Sequence, residues 1–391
     1  MNYILFDGPF RDNLLPFTYT RPVADIRVGI LTLREKWEYF LKTKTSSLTE
    51  DYLSGKFPLV SAKINVMIHA AYGPNDALVK KIKELKSGQA IVSGDQVVAY
   101  VTDTPEKRFE ADDFDVIQCQ EPLLKIENTW DIFVKNGVAM KADFDVLTKG
   151  RKSEPIPKSN NIIGAENIFI EPGAKLEFTT INASSGPVYI GKDAEIMEGS
   201  IIRGPFALCE HATLKLGAKI YGPTTVGPHS KVGGEVNNCV IFGYSNKGHD
   251  GFLGNSVLGE WCNLGADTNN SNLKNNYAPV RLWDYKTQSF AKTGLQFCGL
   301  MMGDHSKCGI NTMFNTGTVV GVSSNIYGSG FPRNFVPSFS WGGSSGFTTY
   351  LTKKAFEVCE VMMARRNVAF TNHDKAILDH IFEATKDYRR G

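Results

Sequence analysis

His249 lies in a glycine-bearing turn, Lys247-Gly248-His249-Asp250-Gly251. Imidazole exchanges a proton near neutral pH, and glycine beside it lets another molecule approach closely. The setting suits a proton acceptor, and taken alone it equally suits a plain surface histidine. The other six histidines, at 69, 211, 229, 305, 373 and 380, have no comparable setting.

The elements that must hold this turn are periodic. A branched aliphatic residue or Leu recurs every sixth position, at Ile190, Ile196, Ile202, Leu208, Leu214, Ile220, Val226 and Val232. A small residue usually comes four places later, at Ala194, Ser200, Ala212, Ala218, Thr224 and Ser230. Such a period fits neither a helix nor a hairpin meander. It predicts a β-solenoid in which each hexad is one side of a coil and three hexads close it. Leu258 and Leu264 keep the beat, and Met302, Cys308, Phe314, Val320 and Ile326 resume it. Function is expected where the beat breaks: from Glu235 to Leu253, around His249, and again from Asn269 to Phe297.

The N-terminal part has another pattern. An apolar run, Asn2–Phe6, ends at Asp7-Gly8-Pro9, and residues 30–41 carry apolar side chains at helical spacing. Strand, loop and helix in this order suit a nucleotide-handling α/β domain. Further strands are predicted at 66–70, 90–92, 97–101 and 115–117, with a helix over 75–85 capped by Asn75. The polar, proline-bearing stretch 148–161 reads as a linker. The expected division is an α/β domain over 1–150, a solenoid over 151–340, and a Gly-rich loop with two amphipathic helices over 341–391. Asn372 is the expected cap of the second helix, and the pair is expected to cover the open solenoid end.

Composition narrows the function. With 43 basic and 41 acidic residues, the net charge of +2 gives no electrostatic reason to expect nucleic acid or an anionic membrane. Seven cysteines without a C-x-x-C pair predict neither a disulfide framework nor a zinc site, and point to the cytoplasm. Asp7 and Arg11 interrupt what a signal peptide would need, and no window approaches ~18 apolar residues.

The run KGHDGFLGNSVLGEWCNLGADTNNSN resembles the acetyltransferase half of the bacterial bifunctional enzyme that makes UDP-N-acetylglucosamine, down to the five-residue step from Leu253 to Leu258. The resemblance implies a left-handed parallel β-helix, a homotrimer, and acetylation of glucosamine 1-phosphate by acetyl-CoA. It implies that His249 is the base, that Asn263 and Asn272 contact sugar or acyl chain, and that Arg203 contacts the sugar phosphate. Glu235 falls near an acidic position of that family, while Gly309 and Ile310 match positions lining its CoA groove. Phe252 stands where the family has Tyr and Asn237 near a family Lys, which leaves phosphate binding to Arg203 and Lys247.

The N-terminal loop resembles that of sugar 1-phosphate nucleotidylyltransferases. Arg11 is followed by Pro16-Phe17-Thr18 and Pro22 with the family's Thr-to-Pro spacing, although two residues are inserted after Arg11, the double glycine is missing and Val23 replaces the lysine. The chain as a whole is similar to the divergent, compact GlmU-like family of Bacteroidetes. That resemblance implies nucleotide contacts from Arg11 and Thr18, and charge alone makes Arg21 and Arg27 the candidates to replace the lysine. The resemblance further implies Mg²⁺ at Asp95 and uridylyl transfer from UTP. A single-activity enzyme and a non-catalytic nucleotide-sugar-binding trimer remain open alternatives.

Overall fold

The computed structural model describes residues 1–106 and 109–390. Asn2–Phe6 runs parallel to Ser46–Leu48 on one side and to Asn65–His69 on the other. Gln96–Thr102, antiparallel, then Gln89–Ser93 and Asp115–Gln118 complete a six-stranded sheet. Helix Leu33–Leu41 begins at Thr32, whose side chain accepts from Glu35 N–H while Glu35 bonds back to Thr32 N–H. Helix Asp76–Glu84 starts on Asn75, the expected cap.

Helix Asn136–Thr148 has no counterpart in the predicted pattern. It lies between two bodies, so it carries no single apolar stripe to read. Asn136 Oδ1 accepts from Gly29 N–H at 2.7 Å while its amide donates to Pro223 O at 2.9 Å on the solenoid. Further along the helix, Asp143 accepts from the N–H groups of Ile30 and Leu31 and pairs with buried Lys36.

The chain then winds into three sheets of six, nine and ten strands, parallel throughout except for the closing hairpin, which is the β-solenoid expected from the hexads and the left-handed β-helix implied by the resemblance. Each strand pairs with the one a coil earlier, giving columns such as Ile190, Leu208, Val226, Ile241, Leu258, Met302 and Val320. The hexad aliphatics form one buried core. Ala194, Ser200, Ala212 and Ala218 are fully buried beside it. At ~1.5–3 kcal/mol per buried aliphatic side chain, this column is the main cohesion of the coil. His211, His229, Tyr244, Trp261 and His305 all take positive φ at one corner and stack ring on ring, which gives three of the unassigned histidines a place.

Three expectations for the C-terminal part are corrected. The stretch Ser340–Gly346 is not a loop: Ser340–Gly343 pairs antiparallel with Gly346–Thr349 and closes the ten-stranded sheet. Gly342 is needed there, since a Cβ would stand 2.2 Å from Gly346 O. Helices Thr352–Ala364 and Asn372–Ala384 come next, the second capped by Thr371 rather than Asn372, because the Thr371 side chain reaches Asp374 N–H. Nor do they only cover the solenoid end. His380 stacks on Tyr52 at 3.9 Å, Asp374 pairs with Lys56 at 2.7 Å, and Phe382 meets Phe339, so the helices tie the last coils to the N-terminal sheet domain.

Candidate active site

His249 occupies the corner between Asn246–Lys247 on the ten-stranded face and Phe252–Gly254 on the six-stranded face. Its side chain is exposed. The register Asn246, Asn263, Lys307 places His249, Ala266 and Ile310 on successive coils of this one corner. Backbone bonds fix the stacking: Asp267 N–H donates to Asp250 O at 3.0 Å and Asn311 N–H to Ala266 O at 2.8 Å. Gly251 is required for it, because a Cβ there would lie 2.2 Å from Thr268 O, whereas Gly248 faces open space. Gly309 and Ile310 therefore share an edge with His249, and Ile310 is 70% exposed on it.

The other predicted residues flank this edge unequally. Asn272 adjoins it on the six-stranded side, next to Gly254, and donates to Asn255 Oδ1 at 2.8 Å. Glu235 pairs in register with Phe252, accepts from Tyr221 O–H at 2.7 Å, and faces Lys219 at 3.9 Å. Arg203 is exposed on the same face, two coils further back. Asn263 lies on the ten-stranded side, opposite Asn246. Lys247 is corrected: it is 2% exposed and bonds to backbone carbonyls of its own turn, so it presents no ammonium to a bound phosphate.

Two residues escaped the sequence reading. Asn269 and Asn270, a short strand paired with Met313–Phe314, accept from the N–H groups of Phe252 and Gly254 through their side chains, both at 2.8 Å, where backbone carbonyls would serve in a regular coil. The signal was available, since Asn270 stands at a core-facing position, paired with Phe314 and 4% exposed.

A second candidate site opens at the end of strand Asn2–Phe6, a cavity of about 470 Å³ lined by Asp7, Arg11, Asp12, Glu50, Asp95 and Phe109, among others. Gly8 turns over His69 with φ +64, and a Cβ there would stand 2.1 Å from His69 Nε2. The buried His69 is pushed down to about 3 by desolvation, then by Lys125, and so stays neutral beneath the loop. Its Nδ1 accepts from Ala71 N–H at 3.2 Å. Asp7 is pushed up to about 6, burial outweighing the bonds from Thr49 and Val23 and the charge of Arg11. Arg11 is fixed by Asp7 at 3.4 Å and by Thr18 O and Tyr52 Oη, both at 2.7 Å. Thr18 is buried and donates to Arg11 O at 2.8 Å, shaping the loop from within.

Asp95 reaches this cavity from the two-residue turn Gly94-Asp95 of a hairpin. Arg21 and Arg27 do not reach it. Arg21 is buried against Asp304 and lies 3.3 Å from Glu260 of the solenoid, while Arg27 bonds to Ile30 O and pairs with Glu35 at 3.5 Å. Among the described residues no group of three or more His, Cys, Asp or Glu is placed to hold a metal ion. Mg²⁺ commonly needs only one or two carboxylates together with substrate phosphates, and this carboxylate-rich lining suits that mode.

A hexapeptide-type β-helix carrying an exposed histidine edge, joined to a small mixed-sheet domain with a carboxylate-lined cavity, defines the class. Residues 3–152 match the sequence model of a family described as sugar nucleotidyl transferase. The chain is similar to a bifunctional sugar-1-phosphate nucleotidylyltransferase/acetyltransferase of Sulfurisphaera tokodaii, 27% identical over 171 residues, 43% of this chain and 40% of that one. It is similar to the bifunctional protein GlmU of Methanocaldococcus jannaschii, 32% identical over 87 residues, 22% of this chain and 21% of that one. The uncharacterized acetyltransferase YaiX of Escherichia coli is 26% identical over 148 residues, 37% of this chain and 64% of that one. The chain thus spans less than two thirds of each of these relatives. The resemblance read from the sequence holds. Among the described residues no helix is long and apolar enough to cross a membrane.

Proposed function

We propose that the protein is a two-site transferase acting on an amino-sugar 1-phosphate. At the solenoid corner it transfers acetyl from acetyl-CoA to the amine of glucosamine 1-phosphate. In the N-terminal cavity it transfers uridylyl from UTP to the N-acetylated product and releases pyrophosphate. The observation that carries this reading is the shared edge of His249, Ala266 and Ile310, which sets a base beside an exposed apolar strip suited to an acyl-CoA arm.

The amine attacks the thioester carbonyl, His249 takes a proton from it, and collapse of the tetrahedral oxyanion expels the CoA thiolate, which leaves as the thiol. A positioned base contributes ~10²- to 10⁴-fold, and backbone N–H groups of the neighbouring turns serve the oxyanion. Arg203, Glu235, Asn263 and Asn272 are assigned to the sugar phosphate, Gly309 and Ile310 to the donor. In the cavity Arg11 offsets charge on the departing pyrophosphate, with Thr18 holding its loop and Asp95 the carboxylate for Mg²⁺. A homotrimer is proposed. All seven cysteines are buried free thiols, as a reducing compartment leaves them, and the cytoplasm is the proposed location.

The test is mass spectrometry of products from glucosamine 1-phosphate, acetyl-CoA, UTP and Mg²⁺. UDP-N-acetylglucosamine is expected, and His249→Ala should lower acetyl transfer by ~10²- to 10⁴-fold while the mass by light scattering stays that of the wild type. Unchanged turnover in His249→Ala would remove the base assignment. A second reading, acetyl transfer alone, is favoured by the burial of Arg21 and Arg27 away from the cavity; it predicts N-acetylglucosamine 1-phosphate as the end product.

A further inference from the structure

Lys247 stands where a lysine has no structural reason to be. Its column on the ten-stranded face reads Leu176, Ile196, Leu214, Val232, Lys247, Leu264, Cys308 and Ile326 down the inside of the coil. The other seven are buried members of the apolar core. The lysine stem fills an aliphatic slot, and its ammonium needs acceptors, since an unpaired buried charge is costly. It finds two carbonyls, His249 O at 2.5 Å and Asp250 O at 3.1 Å. Both belong to the turn that carries the proposed base. An aliphatic residue would suit the core better and would leave those carbonyls without this donor.

We propose that Lys247 is a positioning residue that holds the His249 turn from inside the solenoid, so that acetyl transfer depends on the protonation of a core ammonium. The proposal rests on the reading of His249 as the base. Three titratable groups act on this ammonium: Asp250 in its own turn, Asp267 on the next coil, and Cys308 on the coil beyond. Desolvation outweighs all three and lowers the group to about 8. Above that pH the amine keeps fewer donors and no charge, and the turn loosens.

Two measurements test this. In protein labelled with ¹³C at lysine Cε, the signal missing from Lys247→Met is expected to titrate near 8, together with the amide signals of His249 and Asp250. Titration in the ordinary lysine range, or a turn that does not track it, overturns the proposal whether or not the corner catalyses acetyl transfer. Lys247→Gln supplies the assignment should the methionine variant fail to fold. In kinetics, Lys247→Met is expected to fold, to lose up to about 100-fold in kcat, as misplaced groups do, with KM for acetyl-CoA unchanged. Its alkaline fall in rate should also disappear. An unchanged kcat, or a loss confined to KM for the sugar phosphate, overturns the proposal. Absence of acetyl transfer in the wild type defeats the reading of His249 instead, and the titration alone then decides the placement of Lys247.

Discussion

The solenoid corner and the N-terminal cavity both rest on a short motif in a glycine-bearing loop, and the fold treats the two motifs differently. At the corner, His249, Ala266 and Ile310 are distant in the chain and fall on one edge, because a coil converts sequence spacing into position. In the N-terminal loop, Arg11, Arg21 and Arg27 are close in the chain and face three different environments. There the backbone passes through three short 3₁₀ turns, Arg11–Leu14, Phe17–Tyr19 and Val23–Asp25, and each sends the chain off in a new direction. A periodic backbone makes motif residues transferable one by one, and an irregular one does not.

The sharpest way to break this comparison is to remove the arginines separately. Arg21→Ala should cost about 3–5 kcal/mol, because it leaves the buried Asp304 carboxylate without its cation. Calorimetry should show the loss, with both activities falling together as the two halves come apart. Arg11→Ala should instead abolish uridylyl transfer and spare acetyl transfer. If Arg21→Ala were stable and lost only the uridylyl step, the loop would be organised around Arg21 after all.

The solenoid half predicts its own cost. Ile220 is 1% exposed in the core column, and Ile220→Ala should destabilise by about 2–5 kcal/mol in a denaturant titration, through lost burial and the cavity left behind. A smaller, pH-dependent effect belongs to the other half. Asp7 sits at about 6 when folded, above the ordinary carboxylate value of about 3.9. A carboxyl raised in this way stabilises the fold most below its unfolded value, and that contribution is lost as pH rises through about 6. Asp7→Asn should therefore flatten the wild-type fall in stability across that window; an unaltered slope would mean that Asp7 is ordinarily solvated.

Much of the solenoid was legible because a repeat states the inside and outside of every strand. The hexad beat located the column, and its break located His249. Lys247 was misread because local sequence made it a loop lysine beside a substrate, and only the register places it inside. Asn269 and Asn270 were missed for the converse reason: polar side chains in core positions read as loop although they form a short strand whose side chains bond to the coil before it. In the α/β half, five of the six strands and two helices were visible from apolar runs and the Asn75 cap, whereas the short strand Ser46–Leu48 has no such run. The partner of Arg21 lies 283 residues further along the chain, and helix Asn136–Thr148 serves two bodies at once. No local pattern carries either.

The smallest expected effect falls on the link between the two regions. Thr371 caps helix Asn372–Ala384, and Thr371→Ala should cost about 1 kcal/mol, as the loss of a side-chain cap does. Its first turn holds Asp374 on Lys56, and further along His380 stacks on Tyr52, whose hydroxyl accepts from Arg11 at 2.7 Å. Fraying this end should thus loosen the support of Arg11 while the His249 corner keeps its coils. Measured as residual activity after heating, uridylyl transfer should decay sooner than acetyl transfer in Thr371→Ala. Equal decay would mean that the helix serves the solenoid as a plain cover, and that the cavity positions Arg11 without help from the C-terminal segment.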